Sequence, residues 1–171
     1  MVSSAAFMSH QPVIDGFEFA SAGALQHGTM PLSGFARLRD LLASDAGEVA
    51  YEIEGLRDER ARPCLRLKVR GALQLRCQRC LEPMACEVDE ETVLVLAATQ
   101  AEIEADPADA QAPDRALAGR AMPVAALVED ELILALPYAP RHEACRAAGA
   151  AQDDDRVSPF AGLKGLMHGG H

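Results

Sequence analysis

Leu65-Arg66-Leu67-Lys68-Val69-Arg70-Gly71-Ala72-Leu73-Gln74-Leu75-Arg76-Cys77 decides the fold. Leu65, Leu67, Val69, Leu73, Leu75 and Cys77 share one parity, and Arg66, Lys68, Arg70, Gln74 and Arg76 take the other. Side chains of a strand point alternately to opposite faces, so this pattern predicts a long antiparallel strand with one face buried and one in water. Gly71 is expected to mark a bulge or bend in it. After a knuckle at Gln78–Met84, Thr92, Leu94 and Leu96 alternate with Val93 and Val95, so the two runs read as the arms of a hairpin with Cys77 and Cys80 at its tip. On the other side, Val49, Tyr51 and Ile53 alternate with Ala50, Glu52 and Glu54 as a further half-wet strand, closed by Gly55.

Outward from this hairpin the signals change period. Ser33, after Pro31, precedes Phe35, Leu38, Leu41 and Leu42, the spacing of a short amphipathic helix ending near Gly47. Pro123 opens a second helix, with Val124, Leu127, Val128, Glu131, Leu132 and Ala135 on adjoining faces and Pro137 and Pro140 as stops. Residues 1–30 read as a loosely structured N-terminal segment in which Val13-Ile14 and Phe17-Glu18-Phe19 form at most a short edge strand. Residues 97–122, rich in Ala, Asp, Glu and Pro, read as a mobile loop. The expected organisation is one α+β domain over 31–145, an antiparallel sheet with a long central hairpin flanked by a few helices and a flexible acidic loop. Residues 146–171 follow as a flexible tail with a short docking motif around Phe160.

With 171 residues and 18.2 kDa, the chain suits one medium domain. Aromatic residues are 4% and Trp is absent, which disfavours a surface built of rings for stacking successive bases. The net charge of −10 and pI near 4.9 repel nucleic acid and anionic membrane on average, so any RNA contact must be local or go through a partner, and neither a membrane nor DNA is expected as partner. No apolar run approaches the ~20 residues of a membrane span. No Lys or Arg precedes Arg37, so a cationic signal-peptide start is lacking, and the five cysteines are an odd number. Both point to a cytoplasmic protein with thiols or metal ligands, not a disulfide framework.

Three groups of residues bear on chemistry. Cys77-Gln78-Arg79-Cys80 and His142-Glu143-Ala144-Cys145 each place two N or S donors two residues apart, the spacing with which a tight turn offers two ligands to one tetrahedral ion such as a structural zinc. The 61 intervening residues exceed a finger's spacing, so the alternative of two buried thiols and an unrelated His-Cys turn stays open. A thioredoxin-type pair needs a strand-to-helix junction, whereas this pair falls between strands. Cys64 and Cys86 read as packing residues. Second, Arg57 to Arg79 holds eight basic residues against two acids. Arg66, Lys68, Arg70 and Arg76 along one strand face, continued by Arg79, would form a cationic stripe able to follow phosphates, or an ordinary solvated face paired with neighbouring acids. Third, Glu129, Asp130 and Glu131 diverge by about 100° each around a helix, which suits a solvated face or a docking surface for a basic protein better than a catalytic pair. No glycine-rich phosphate loop or nucleophile elbow is present.

Leu75-Arg76-Cys77-Gln78-Arg79-Cys80-Leu81-Glu82-Pro83, then Val128 to Pro137, then His142 and Cys145, then Pro159-Phe160-Ala161 with Leu163-Lys164, closely resemble the YceD family of large ribosomal RNA subunit accumulation proteins. The resemblance spans roughly residues 30–165; His168-Gly169-Gly170-His171 lies outside the pattern. It implies a cytoplasmic bacterial ribosome-biogenesis factor, not an enzyme, that supports synthesis, processing or stability of 23S ribosomal RNA. Its partners would be that RNA, its precursor or a large-subunit ribosomal protein, with Glu129, Asp130, Glu131 and Phe160 on the partner side. Members with extra C-terminal cysteines suggest a metal. The alternative class is a CxxC metal-binding or thiol-redox protein.

Overall fold

The long hairpin is the spine of the molecule. A computed structural model describes residues 12–105 and 113–147. In it β5 (Pro63–Arg76) and β6 (Pro83–Ala97) pair antiparallel in unbroken register from Cys64 opposite Val95 to Arg76 opposite Pro83. Before them come β1 (Val13–Ile14), α1 (Gly16–Ala22), β2 (Leu25–Pro31), 3-10 turns at Leu32–Gly34 and Leu38–Leu41, β3 (Leu42–Ser44) and β4 (Glu48–Arg57). After them come α2 (Gln100–Glu104), β7 (Arg115–Leu117), β8 (Met122–Pro123) and α3 (Val124–Ala135). The main sheet has the order β2-β4-β5-β6-β7. β3 lies beside the end of β5 that β4 does not reach, with Leu42 opposite Leu75. β1 and β8 form a separate two-stranded ladder. The architecture is α+β, as the alternating pattern predicts.

The odd-parity side chains of β5, Leu65, Leu67, Val69, Leu73 and Leu75, are buried with Val49, Tyr51 and Ile53 of β4. α3 covers that face with Val124, Val128 and Leu132, all fully buried. Gly71 makes no bulge: it pairs with Val49 on one side and Val88 on the other, and a Cβ there would lie 2.6 Å from Val49 Cγ1. The glycine admits a close strand neighbour instead of bending the chain.

Four expectations change. The described part of residues 1–30, taken as loose, carries β1 at the expected Val13-Ile14, then α1 and most of β2, and Phe17 and Phe19 are helical. Asp15 caps α1 by accepting from Glu18 N at 3.0 Å, and Gly23 ends it at φ +59°. β4 continues past Gly55 because α1 crosses it there; a Cβ on Gly55 would sit 2.2 Å from the Phe19 carbonyl oxygen. The expected helix after Ser33 is replaced by the two 3-10 turns and β3. Leu32, Phe35 and Leu38 recur every third residue, the 3-10 period, and all three are buried plugs on the sheet. In the segment 97–122, α2, β7 parallel to β6, and β8 replace much of the expected loop. Strands of two or three residues are too short to show a period. Residues 106–112 and the tail from 148 onward, including Phe160, lie outside the described residues.

Candidate metal centre

The tip of the hairpin turns through Cys77-Gln78-Arg79-Cys80-Leu81. The Cys77 carbonyl accepts Leu81 N–H at 3.0 Å, Cys77 N–H donates to the Glu82 carbonyl at 3.0 Å, and Leu81 adopts φ +65° to close the turn. Beyond α3, the chain bends at residues 136, 138 and 139, with Pro137 and Pro140 among them, and returns to this tip. Gln78 N–H donates to the Pro140 carbonyl at 2.8 Å, and the Arg79 guanidinium donates to the Cys145 carbonyl at 3.2 Å. Helix and hairpin therefore meet at residues 77–80 and 140–145.

Four donors converge there. The ligand atoms of Cys77, Cys80, His142 and Cys145 all lie within 4.8 Å of one another. Cys77 Sγ is 3.7 Å from Cys145 Sγ, and Cys80 Sγ is 3.3 Å from His142 Nδ1. A tetrahedron with Zn–S bonds of ~2.3 Å has sulfur–sulfur edges of ~3.8 Å, so the Cys77–Cys145 separation is that of two ligands on one ion. The surroundings fit as well. His142 Nε2 lies 3.2 Å from the Pro83 carbonyl, which can only accept, so a neutral ring making this bond carries its proton on Nε2 and turns Nδ1 toward Cys80. Burial pushes the Cys77 thiol up. The backbone N–H groups of Cys80, Arg79 and His142, with the Cys80 thiol, outweigh it and bring Cys77 down to about 5. Burial raises Cys145, and hydrogen bonds and charge from Cys77 and Cys80 raise it further. The pocket thus stabilises the Cys77 thiolate and disfavours that of Cys145, and a dication among the four donors would offset that cost. Cys64 is buried and Cys86 half-buried, both with thiols raised by burial, as packing residues are.

The basic stripe has another fate. Arg66 pairs with Glu54 of β4 at 2.6 Å and with Glu91 of β6 at 3.5 Å, Lys68 with Glu91 at 2.6 Å, and Arg70 with Asp89 at 2.7 Å. Register explains it: Glu54, Arg66 and Val93 lie in one row and Glu52, Lys68 and Glu91 in the next. The stripe is neutralised by its own sheet neighbours, so Arg66, Lys68 and Arg70 do not form a bare phosphate track. Arg76 and Arg79 stand apart at the tip, exposed and without an ion pair among the described residues.

The acidic triplet also divides. Glu129 is 8% exposed and faces inward, not to a partner. Its Oε1 accepts the backbone N–H groups of Arg37 at 2.6 Å and Leu38 at 3.1 Å, and Oε2 takes the Arg37 guanidinium at 3.0 Å. Burial raises its carboxyl, but those donors overcome the burial and hold it below the usual range. Asp130, half-exposed, pairs with Arg37 at 2.5 Å. Glu131 and Asp130 rim a groove of about 640 Å³ floored by Leu94, Ala116, Leu127 and Ile133. Burial, with Glu90 and Asp114 nearby, raises Glu131. Sequence reasoning missed Arg37 as the partner of Glu129. Nothing in the stretch 35–42 sets Arg37 apart from Arg39 and Asp40 beside it.

No helix among the described residues is long and apolar enough to cross a membrane. The fold and tip together define a small α+β protein whose sheet and last helix are joined by a three-cysteine, one-histidine donor cluster. The family model for large ribosomal RNA subunit accumulation protein YceD matches residues 65–167, from β5 through both halves of that cluster into the tail, and the chain belongs to this family. No curated protein and no solved structure matches the chain. The family's name concerns accumulation of large-subunit ribosomal RNA, which puts the chain in ribosome biogenesis.

Proposed function

We propose that the protein is a non-enzymatic cytoplasmic factor that supports 23S ribosomal RNA synthesis, processing or stability by binding RNA or a large-subunit ribosomal protein. In this reading a structural zinc ion on Cys77, Cys80, His142 and Cys145 holds its working surface together. The observation that carries the metal is the convergence of four soft or borderline donors, two from the hairpin tip and two from beyond α3, at separations that suit one tetrahedral ion. The biogenesis role rests on family membership. A binding role in place of catalysis accords with the acidic triplet, in which Glu129 is committed to Arg37 and two backbone N–H groups.

Two measurements test the two halves. Elemental analysis of untagged protein is expected to give about one zinc per chain, dropping severalfold in Cys80→Ser. Metal-free protein with a Cys77–Cys145 disulfide would favour the thiol-redox alternative. Cells depleted of the protein are expected to lose 23S RNA and the large-subunit peak in a sucrose gradient; unchanged levels of both would remove the biogenesis reading.

A further inference from the structure

Each of the four donor residues has an arginine as chain neighbour: Arg76 before Cys77, Arg79 before Cys80, Arg141 before His142 and Arg146 after Cys145. All four arginines are exposed, and none forms an ion pair among the described residues. They come from two stretches 61 residues apart and are gathered only because the donors converge. Segments 76–83 and 138–146 carry Glu82 and Glu143 as their only acids, so this end is net positive in a chain whose total is −10. The contrast with the sheet face is physical: Arg66, Lys68 and Arg70 have carboxylates in register beside them, whereas strand pairing ends at Arg76 opposite Pro83 and supplies none at the tip. Arg79 spends one donor on the neutral Cys145 carbonyl and keeps its charge. Tyr138, two residues before the Pro140 carbonyl that holds Gln78, is fully exposed, and Leu81 is largely so.

Unpaired guanidinium groups beside an exposed ring suit a partner with both phosphates and flat bases. An acidic protein surface would use the arginines but leave Tyr138 without its stacking partner. We infer that this arginine collar, gathered by the Cys77/Cys80/His142/Cys145 cluster, is an RNA-binding surface for single-stranded or looped RNA, with phosphates on Arg76, Arg79, Arg141 and Arg146 and a base against Tyr138. The inference rests on the biogenesis reading and deepens it by naming RNA as the direct partner. It moves the contact from the strand stripe to the tip.

The full chain, zinc-loaded, is titrated into a short fluorescein-labelled single-stranded RNA at several salt concentrations. Affinity should fall with salt with a log–log slope of about −2 to −3, as for three or four single-strand phosphates. Arg76→Glu with Arg141→Glu should reduce that slope by about 1.4 and weaken binding at least about tenfold at low salt, with zinc content and melting temperature retained. Tyr138→Ala should weaken binding about fivefold or more. Lys68→Glu with Arg70→Glu makes the same charge change on the sheet face and should weaken binding far less. Equal losses from the two double variants, unaltered binding in the collar variant, or no binding by the zinc-loaded chain would overturn the inference. Loss of zinc in the collar variant would mean that the arginines serve the metal; Tyr138→Ala with zinc intact then decides, unchanged affinity overturning the RNA surface. Ribosomal RNA levels in depleted cells are read separately. If the collar variant restores 23S RNA, the surface is refuted while the biogenesis role stands; if depletion itself leaves 23S RNA intact, it is the biogenesis role that falls.

Discussion

At Glu129 one carboxylate takes two backbone N–H groups and a guanidinium, from a helix whose apolar side already binds it to the sheet. The N–H groups belong to Arg37 and Leu38, at the entry to the second 3-10 turn, where no helix or strand supplies acceptors. Glu129→Gln keeps Oε1 for those donors and breaks the pair with Arg37, whereas Glu129→Ala leaves both N–H groups without an acceptor. The alanine variant is therefore expected to lose about 1–3 kcal/mol in urea unfolding, and the glutamine variant less. The pH dependence follows from the lowered carboxyl. Unfolded, Glu129 titrates near ~4.3, so its contribution is complete above that value and disappears as pH falls through the lower folded value. The difference in urea midpoint between wild type and Glu129→Gln should therefore be largest at neutral pH and shrink on acidification; a difference constant with pH would show that the carboxylate charge is immaterial. The role of Glu129 was not legible in sequence, because its partners lie 91 and 92 residues away. A Glu-Asp-Glu run on a helix looks the same whether or not one member turns inward.

The hairpin of β5 and β6 is the element most legible in the sequence, since the alternation from Leu65 to Cys77, interrupted only at Gly71-Ala72, reads as a half-buried strand, although the bulge expected at Gly71 is not there. Its outer face displayed less. Alternation puts Arg66, Lys68 and Arg70 in a row, but only register tells whether the adjoining rows are acidic or bare, and register is set by the turn that Cys77 and Cys80 shape. Lys68 and Glu91 lie directly opposite, and their pairing holds Glu91 below the usual carboxylate range, the Lys68 hydrogen bond being the largest cause. A double-mutant cycle with Lys68→Ala and Glu91→Ala should return about 0.2–1 kcal/mol of coupling, less at high salt, as for a part-exposed cross-strand pair. Zero coupling at low salt would mean that the row is not neutralised as the geometry indicates. The short pieces β7, β8 and the 3-10 turns stayed hidden because two to four residues cannot establish a period, whereas Val13-Ile14, expected as at most a short edge strand, is β1. α1 was hidden behind two phenylalanines that suggested a strand, although Asp15 and Gly23 bracket it with ordinary caps.

Across the whole molecule, the donor cluster brings the irregular segment after α3 to the far end of the sheet. Segment 136–147 has little regular structure and makes few backbone bonds beyond Gln78 to Pro140, so the ion would be its principal anchor. A chelator is expected to lower the melting temperature, and in hydrogen exchange to release the amides of Gln78 and of residues 141–147 while leaving those of β5 protected. Equal protection with and without chelator would show that packing alone holds the segment. The candidate site was legible as two half-motifs, and their union was not, because no local rule joins Cys80 to His142, 62 positions apart. That same separation has a consequence during synthesis. Cys145 follows Cys77 by 68 residues, and at ~5–20 residues per second the first sulfurs leave the ribosome roughly 3–14 s before the last one. For that interval the nascent chain offers a two-thiol half-site, and a soft monovalent cation satisfied by two sulfurs competes well there, whereas zinc wins only when all four donors have emerged. An ion held by the finished protein would therefore be selected by the order of translation as well as by the geometry of its tip.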